Sequence, residues 1–88
     1  MKINEDYVLQ EVADEYIVVP VGEAAERLRG IIKLNKSGAI LWKKMEEKDL
    51  SQEELVQVLL TEFPTDIKIA RKDVSLFIKQ LFEMGCLV

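Results

Sequence analysis

The chain has 88 residues and a mass of 10.1 kDa, which suits one small domain spanning residues 1–88 and leaves too little for two separate cores. Hydrophobic residues make up 49% of the sequence and charged residues 32%, a balance typical of a soluble globule. Twelve basic against sixteen acidic residues give a net charge of −4, which argues against a general affinity for nucleic acid or anionic lipid. Because no apolar run could cross a bilayer and no signal peptide is apparent, we expect a cytoplasmic protein with no membrane partner.

The first third of the chain predicts three β-strands. Residues 7–13 and 16–21 are rich in β-branched and aromatic side chains, and the intervening Asp14-Glu15 indicates a hairpin with a two-residue turn. After a polar stretch, a third strand is predicted over residues 28–34.

The remainder of the chain predicts three α-helices. The first extends from an N-cap at Asn35 to about Glu47, with apolar residues at helical spacing. The second begins at Ser51, which has the capping-box spacing to Glu54, and the third begins near Asp66. Strands first and helices after predict an α+β, winged-helix-like domain, with three N-terminal antiparallel strands followed by three helices.

The sequence offers little for catalysis. It has no histidine, so neither a Ser-His nor a Cys-His nucleophile can form. Cys86 is the only thiol, which excludes a disulfide or a multi-cysteine zinc site within one chain, and its apolar neighbours favour a packed hydrophobe. The acidic residues within 46–54 are best explained as helix-end and surface charges. A calcium site there would need the glycine-containing loop of an EF-hand, which is missing. We therefore predict a protein that is not an enzyme and holds no cofactor or metal.

Positive charge is distributed unevenly along the chain. Residues 31–45 contain four lysines and no acidic residue. On a helical wheel of about 100° per residue, one flank of the third helix is an apolar shelf edged with basic groups. This flank carries Arg71, Phe82, Ser75, Lys68 and Lys79. The opposite flank carries Met84, Asp73, Gln80, Ile69 and Leu76. Because lysine and arginine stems commonly cover the border of a core, the basic flank also fits an ordinary helix surface.

The third strand supplies a second candidate binding feature. A sheet of three strands leaves two edges unpaired, and an edge strand can accept an extended peptide by β-augmentation. In the alternative interpretation, the isoleucine-rich strand belongs only to the core and Lys33 protects its edge.

From Leu34 to Trp42 the sequence reads Leu-Asn-Lys-Ser-Gly-Ala-Ile-Leu-Trp. This segment resembles the signature of the PqqD-like family, named for pyrroloquinoline quinone biosynthesis protein D. In that signature, Leu-Asn precedes a pair of small residues, an aliphatic residue and tryptophan. The similarity continues through the helix start at Ser51 to the segment 81–88, and it spans nearly the whole chain. Gly38 is a departure, because the family more often has alanine there.

The resemblance implies a recognition element for precursors of ribosomally made, post-translationally modified peptides. Such domains bind a leader peptide as an extra strand between the third strand and the third helix, and they present it to a modifying enzyme, often a radical S-adenosylmethionine (SAM) protein. Carried onto this chain, the first wall of the peptide-binding groove would be Leu28, Arg29, Gly30, Ile31, Ile32, Lys33 and Leu34. The second wall would be Arg71, Ser75, Ile78, Lys79 and Phe82. This choice of helix flank rests on charge, and it predicts leaders that carry aspartate or glutamate.

Two other functions stay open at this point. Winged helices often place a helix in the major groove of DNA, although the acidic charge of this chain speaks against nucleic acid. A docking subunit that stabilises a partner enzyme without contacting any peptide is also compatible with the residues. Both a monomer and a homodimer fit the sequence.

Overall fold

Three antiparallel strands precede three long helices in the computed structural model, which describes residues 1–26 and 31–88. The elements are β1 (Tyr7–Val12), β2 (Glu15–Pro20), a single-turn α1 (Glu23–Glu26), β3 (Ile32–Leu34), α2 (Lys36–Glu47), α3 (Gln52–Glu62) and α4 (Ile67–Glu83). The predicted α+β class and the order of strands and long helices are confirmed. Of the predicted third strand, residues 32–34 form β3, Ile31 precedes it, and residues 28–30 lie outside the described residues.

The hairpin of β1 and β2 turns one residue earlier than the sequence predicts. Its turn is formed by Ala13 and Asp14, whose φ angles are 48° and 68°. Two positive φ values in succession are typical of a type I′ turn, which matches the right-handed twist of the flanking strands. The prediction of Asp14 and Glu15 was wrong because the turn contains no glycine to mark the left-handed positions.

A helical turn, α1, lies where the sequence predicts only a polar connection. Gly22 adopts a φ of 57°, which favours glycine, and its carbonyl accepts a hydrogen bond from the Ala25 N–H at 3.2 Å. The turn buries Ala24 almost completely. A helix of four residues is too short to display a hydrophobic period, so this element carries no sequence signal.

The sheet has the order β1-β2-β3, which makes β3 an edge strand. It pairs antiparallel with β2 through the partners Tyr16–Leu34, Ile17–Lys33 and Val18–Ile32. Within β3 the side chains of Ile32 and Leu34 are buried and that of Lys33 is exposed. This alternation is expected for a strand with one face against the core.

The three long helices begin at the predicted caps. The Asn35 side chain accepts a hydrogen bond from the N–H of Gly38 at 2.8 Å. The Asp66 carboxylate caps α4 in the same way. Ser51 and Glu54 form a reciprocal capping box, in which the side chain of each accepts from the backbone N–H of the other, at 3.0 and 3.1 Å. The hydrogen bonds from Ser51 also lower the pKa of the Glu54 carboxyl.

A Schellman motif ends α4. Gly85 has a φ of 77°, its N–H donates to the Phe82 carbonyl, and the Cys86 N–H donates to the Leu81 carbonyl. Cys86 is buried, and burial raises the pKa of its thiol to about 11. The thiol is therefore protonated at neutral pH, as the prediction of a packed hydrophobe requires.

One core joins the sheet to the helices. Its largest fully buried side chains are Trp42, Leu41, Leu55, Leu81, Val18, Val56, Val74 and Cys86. The helices of the described residues are all too short or too polar to span a membrane.

Candidate functional site

A cavity of about 340 Å³ opens between the end of β3, the start of α2 and the middle of α4. It is lined by Lys33, Leu34, Asn35, Ser37, Gly38, Leu41, Asp73, Leu76, Phe77 and Gln80. These residues come from the adjacent elements β3 and α2 and from α4, whose lining residues follow more than thirty positions later, so the cavity exists only in the folded chain.

The pairing of β2 determines which backbone groups of β3 are free. The Val21 N–H donates to the Asp6 carbonyl at 2.7 Å, which marks a hydrogen-bonded pair at the end of the hairpin. Hydrogen-bonding directions alternate along an antiparallel strand, so the odd-numbered residues of β2 face β1. Tyr16 and Val18 consequently direct their backbone groups towards β3.

The outward position of β3 follows from this alternation. Ile32 and Leu34 lie opposite Val18 and Tyr16, so their backbone groups bond to β2. Lys33 lies between them, and its N–H and C=O point to the opposite side, where the described residues form no further strand. Lys33 therefore offers one donor and one acceptor at an open sheet edge beside the cavity.

The apolar part of the cavity comes from three elements. Leu34 and Leu41 are buried, Phe77 is 7% exposed, and Leu76 is 56% exposed. A Cβ atom at Gly38 would lie 3.1 Å from Oδ1 of the Asn35 cap and in ordinary van der Waals contact, at 3.4 Å, with Cε1 of Phe77, so Gly38 lies where the start of α2 meets α4. The result is an apolar floor with one accessible aliphatic side chain above it.

The charges at the cavity have different surroundings. Lys33 donates from Nζ to Oε1 of Glu15 at 2.9 Å, and both side chains are mostly exposed. Asp73 stands on the opposite wall and forms no ion pair with any of the residues 1–26 and 31–88. The charge of Lys33 is thus balanced by a neighbour, whereas that of Asp73 is not balanced within the described part of the chain.

Some residues of the predicted strand wall line the cavity. Lys33 and Leu34 line it, Ile32 is buried in the core, and Ile31 precedes β3 with 63% of its surface exposed. Leu28, Arg29 and Gly30 lie outside the described residues.

The cavity lies on the other flank of α4 from the one predicted by charge. Its wall is the groove flank, which we define as Asp73, Leu76 and Gln80 with Phe77 at the border of the core. The outer flank comprises Arg71, Ser75, Ile78, Lys79 and Phe82, and these described residues are not among those that line the cavity. Their contact with a peptide stays a prediction.

Helix α3 explains why the outer flank is turned away. It packs along α4, and Arg71 donates from Nη2 to Oε1 of Glu53 at 3.1 Å, next to the start of α3. The helical wheel places Asp73, Leu76 and Gln80 on one flank, but the basic residues favour the opposite flank as the predicted binding surface. No sequence signal separates the groove flank from the outer flank by hydrophobicity, because each has one large exposed apolar side chain, Leu76 or Phe82.

The described residues contain no group of three or more histidine, cysteine, aspartate or glutamate side chains that could hold a metal ion. The cavity combines an open strand edge, an apolar floor, and a few hydrogen-bonding and charged side chains. These are the elements of a site that recognises an extended chain.

The family model for coenzyme PQQ synthesis protein D (PqqD) matches residues 15–87. The chain belongs to the PqqD family. This family match covers β2, β3 and the three long helices, which include every described element that lines the cavity. No curated protein matches the sequence.

Two solved structures share the fold of this PqqD-family chain. One is described as TbiB1 in complex with the TbiA(beta) leader peptide, with a TM-score of 0.77, 22% identity, and coverage of 99% of this chain and 94% of the other. The second is described as lasso peptide synthetase B1 complexed with the leader peptide, with a TM-score of 0.75, 15% identity, and coverage of 99% and 95%. At these identities the similarity concerns the fold.

Proposed function

We propose that this protein binds the leader segment of a ribosomally made precursor peptide as an additional strand on β3 and presents it to a modifying enzyme. The proposal is carried by one observation, the outward backbone donor and acceptor of Lys33 beside the cavity on the groove flank. A peptide in this position would lie between β3 and α4 and would close the open edge of the sheet.

Main-chain hydrogen bonds would supply the part of the affinity that does not depend on the amino-acid sequence of the peptide. Lys33 offers two such bonds, and strand alternation directs the backbone of Ile31 to the same side. Each bond contributes about 1 kcal/mol net. A peptide side chain buried against Leu76 and Phe77 would add about 1.5 to 3 kcal/mol if it is a large apolar residue.

The identity of the peptide as a precursor leader is supported by family and fold. The chain belongs to the PqqD family, and the two structures with the same fold are both described as complexes with leader peptides. We extend this ligand class to the present chain, and we propose that its partner is a modifying enzyme of the radical SAM type. In this function the protein is not itself an enzyme, and it acts as a monomer or a homodimer.

Substitutions at Lys33 test strand addition directly. Proline is tolerated at an edge position whose N–H faces outward, so Lys33→Pro should leave the pairing with β2 intact while removing the outward donor. We expect its affinity for a cognate precursor leader to fall about tenfold, because one main-chain hydrogen bond is lost and the proline ring adds bulk at the strand edge. The measurement is an amide chemical-shift titration of isotopically labelled protein.

Lys33→Ala is the matched control for that experiment. It removes the side chain and the ion pair with Glu15 but keeps the backbone N–H, so its affinity should stay within about twofold of the original protein. In the unsubstituted protein, shifts should concentrate on residues 31–34 and 73–80. Diffuse shifts, or equal affinities for the two variants, would count against strand addition.

A further inference from the structure

The Asp73 carboxylate on the groove flank affects which charge a bound peptide should carry. Among the described residues, Lys33 and Asp73 are the charged members of the cavity lining, and Lys33 is already held by Glu15 at 2.9 Å. Asp73 has no ion-pair partner within residues 1–26 and 31–88. A ligand that enters the cavity therefore meets a surface with one balanced cation and one unbalanced anion.

The periodicities of a strand and a helix determine which ligand residues meet which wall residues. In an added strand, every second side chain faces the core side of the sheet, and successive side chains on that side are about 6.7 Å apart. Along α4, Asp73 and Leu76 are three residues apart, which corresponds to about 4.5 Å of helix. Gln80 follows Phe77 by the same interval.

A peptide strand that runs along α4 would have three consecutive core-side residues opposite three parts of the groove flank. The middle residue would lie over Leu76 and Phe77, one neighbour would face Asp73, and the other would face Gln80. A lysine or arginine side chain is long enough to cover the difference between the two spacings. The intervening peptide residues would stand on the solvent side of the sheet with the Lys33 side chain.

We propose that the groove selects peptide segments in which a large apolar residue has lysine or arginine at the second position before or after it, paired with Asp73. This preference rests on the proposed function and is opposite to the acidic leaders that the sequence predicts, because the basic outer flank is not at the cavity. The net charge of −4 favours the same peptides at long range.

Two synthetic peptides test the preference without knowledge of the natural leader. In both, every second residue is threonine; the intervening residues are lysine, leucine and glutamine in one peptide, and glutamate, leucine and glutamine in the other. Amide chemical-shift titrations of the whole protein give the two dissociation constants. We expect the lysine peptide to bind about fivefold more tightly at low salt, with a smaller difference at higher ionic strength.

Three variants identify the source of the preference. Asp73→Lys should reverse the order of the two peptides. Glu47→Lys makes the same change in net charge at an exposed position away from the cavity, and it should keep the original order. Leu76→Asp should weaken both peptides because it removes the shared apolar contact, and it should weaken the glutamate peptide more because it adds a second carboxylate to the groove flank.

The outcomes separate this inference from the proposed function. Equal affinity of the unsubstituted protein for both peptides, with both weakened by Leu76→Asp, would overturn the charge preference and leave strand addition in place. A preference for the glutamate peptide, or one that Glu47→Lys reverses as well as Asp73→Lys, would also overturn it. If neither peptide shifts residues 31–34 or 73–80, both the preference and the proposed function are rejected.

Discussion

The two flanks of α4 differ in charge and in their neighbours. Each carries a large exposed apolar residue, Leu76 at 56% exposure on the groove flank and Phe82 at 74% on the outer flank. The outer flank is also the more basic, which made it the more attractive candidate from sequence. The groove flank nevertheless forms the wall of the cavity beside β3.

This difference shows that an accessible apolar residue becomes part of a groove only when a second element faces it. On the groove side, the end of β3 and the start of α2 supply that second wall. The other side of α4 has α3 as a neighbour, with the Arg71–Glu53 ion pair near the start of that helix. Charge and hydrophobicity on a helical wheel describe one element, whereas a groove requires two.

The largest expected change in leader affinity comes from placing a charge on the groove flank. Leu76→Asp should weaken leader binding by more than about tenfold, since it replaces an apolar contact worth about 1.5 to 3 kcal/mol with a carboxylate that must be desolvated. Isothermal titration calorimetry with the leader measures the loss.

Phe82→Asp is the matched control, because it makes the same kind of change at an exposed residue of the same helix. We expect its affinity to stay within about twofold of the original protein, and both variants to retain the thermal stability of the fold. If Phe82→Asp abolished binding and Leu76→Asp did not, the peptide would lie on the outer flank, as charge predicts.

A smaller effect is expected from reversing a charge on the outer flank. Lys79→Glu should change leader affinity by less than about twofold, with a small loss for acidic leaders and a small gain for basic ones, because the charge acts only at long range. Titrations at two salt concentrations check this expectation. A several-fold loss of affinity confined to acidic leaders would restore the outer flank as the binding surface.

The smallest effect concerns the ion pair that joins the outer flank to α3. Both side chains of the Arg71–Glu53 pair are mostly exposed, so Arg71→Ala should destabilise the fold by no more than about 1 kcal/mol and lower the Tm by about 1 to 5 °C. Peptide affinity should not change. Differential scanning calorimetry measures the shift, and Glu53→Gln should reproduce it if the pair itself is responsible.

The sequence predicted the local features of the fold well. The caps at Asn35, Ser51 and Asp66 lie at the predicted helix starts. Each of these signals depends on hydrogen bonds between residues three to five positions apart, so a short window of sequence contains the whole interaction. The features that were missed, the turn at Ala13 and the single turn of α1, have no comparable local mark.

The sequence by itself determined the order of strands and long helices, the absence of histidine chemistry, and the resemblance to the PqqD family. Only the tertiary structure decided which flank of α4 meets the open edge of β3, and so which residues line the cavity. The reason is physical. The period of a helix defines its faces. Which face packs against which neighbour depends on contacts between residues about forty positions apart, such as Leu34 and Leu76, and a local sequence pattern contains no information about such contacts.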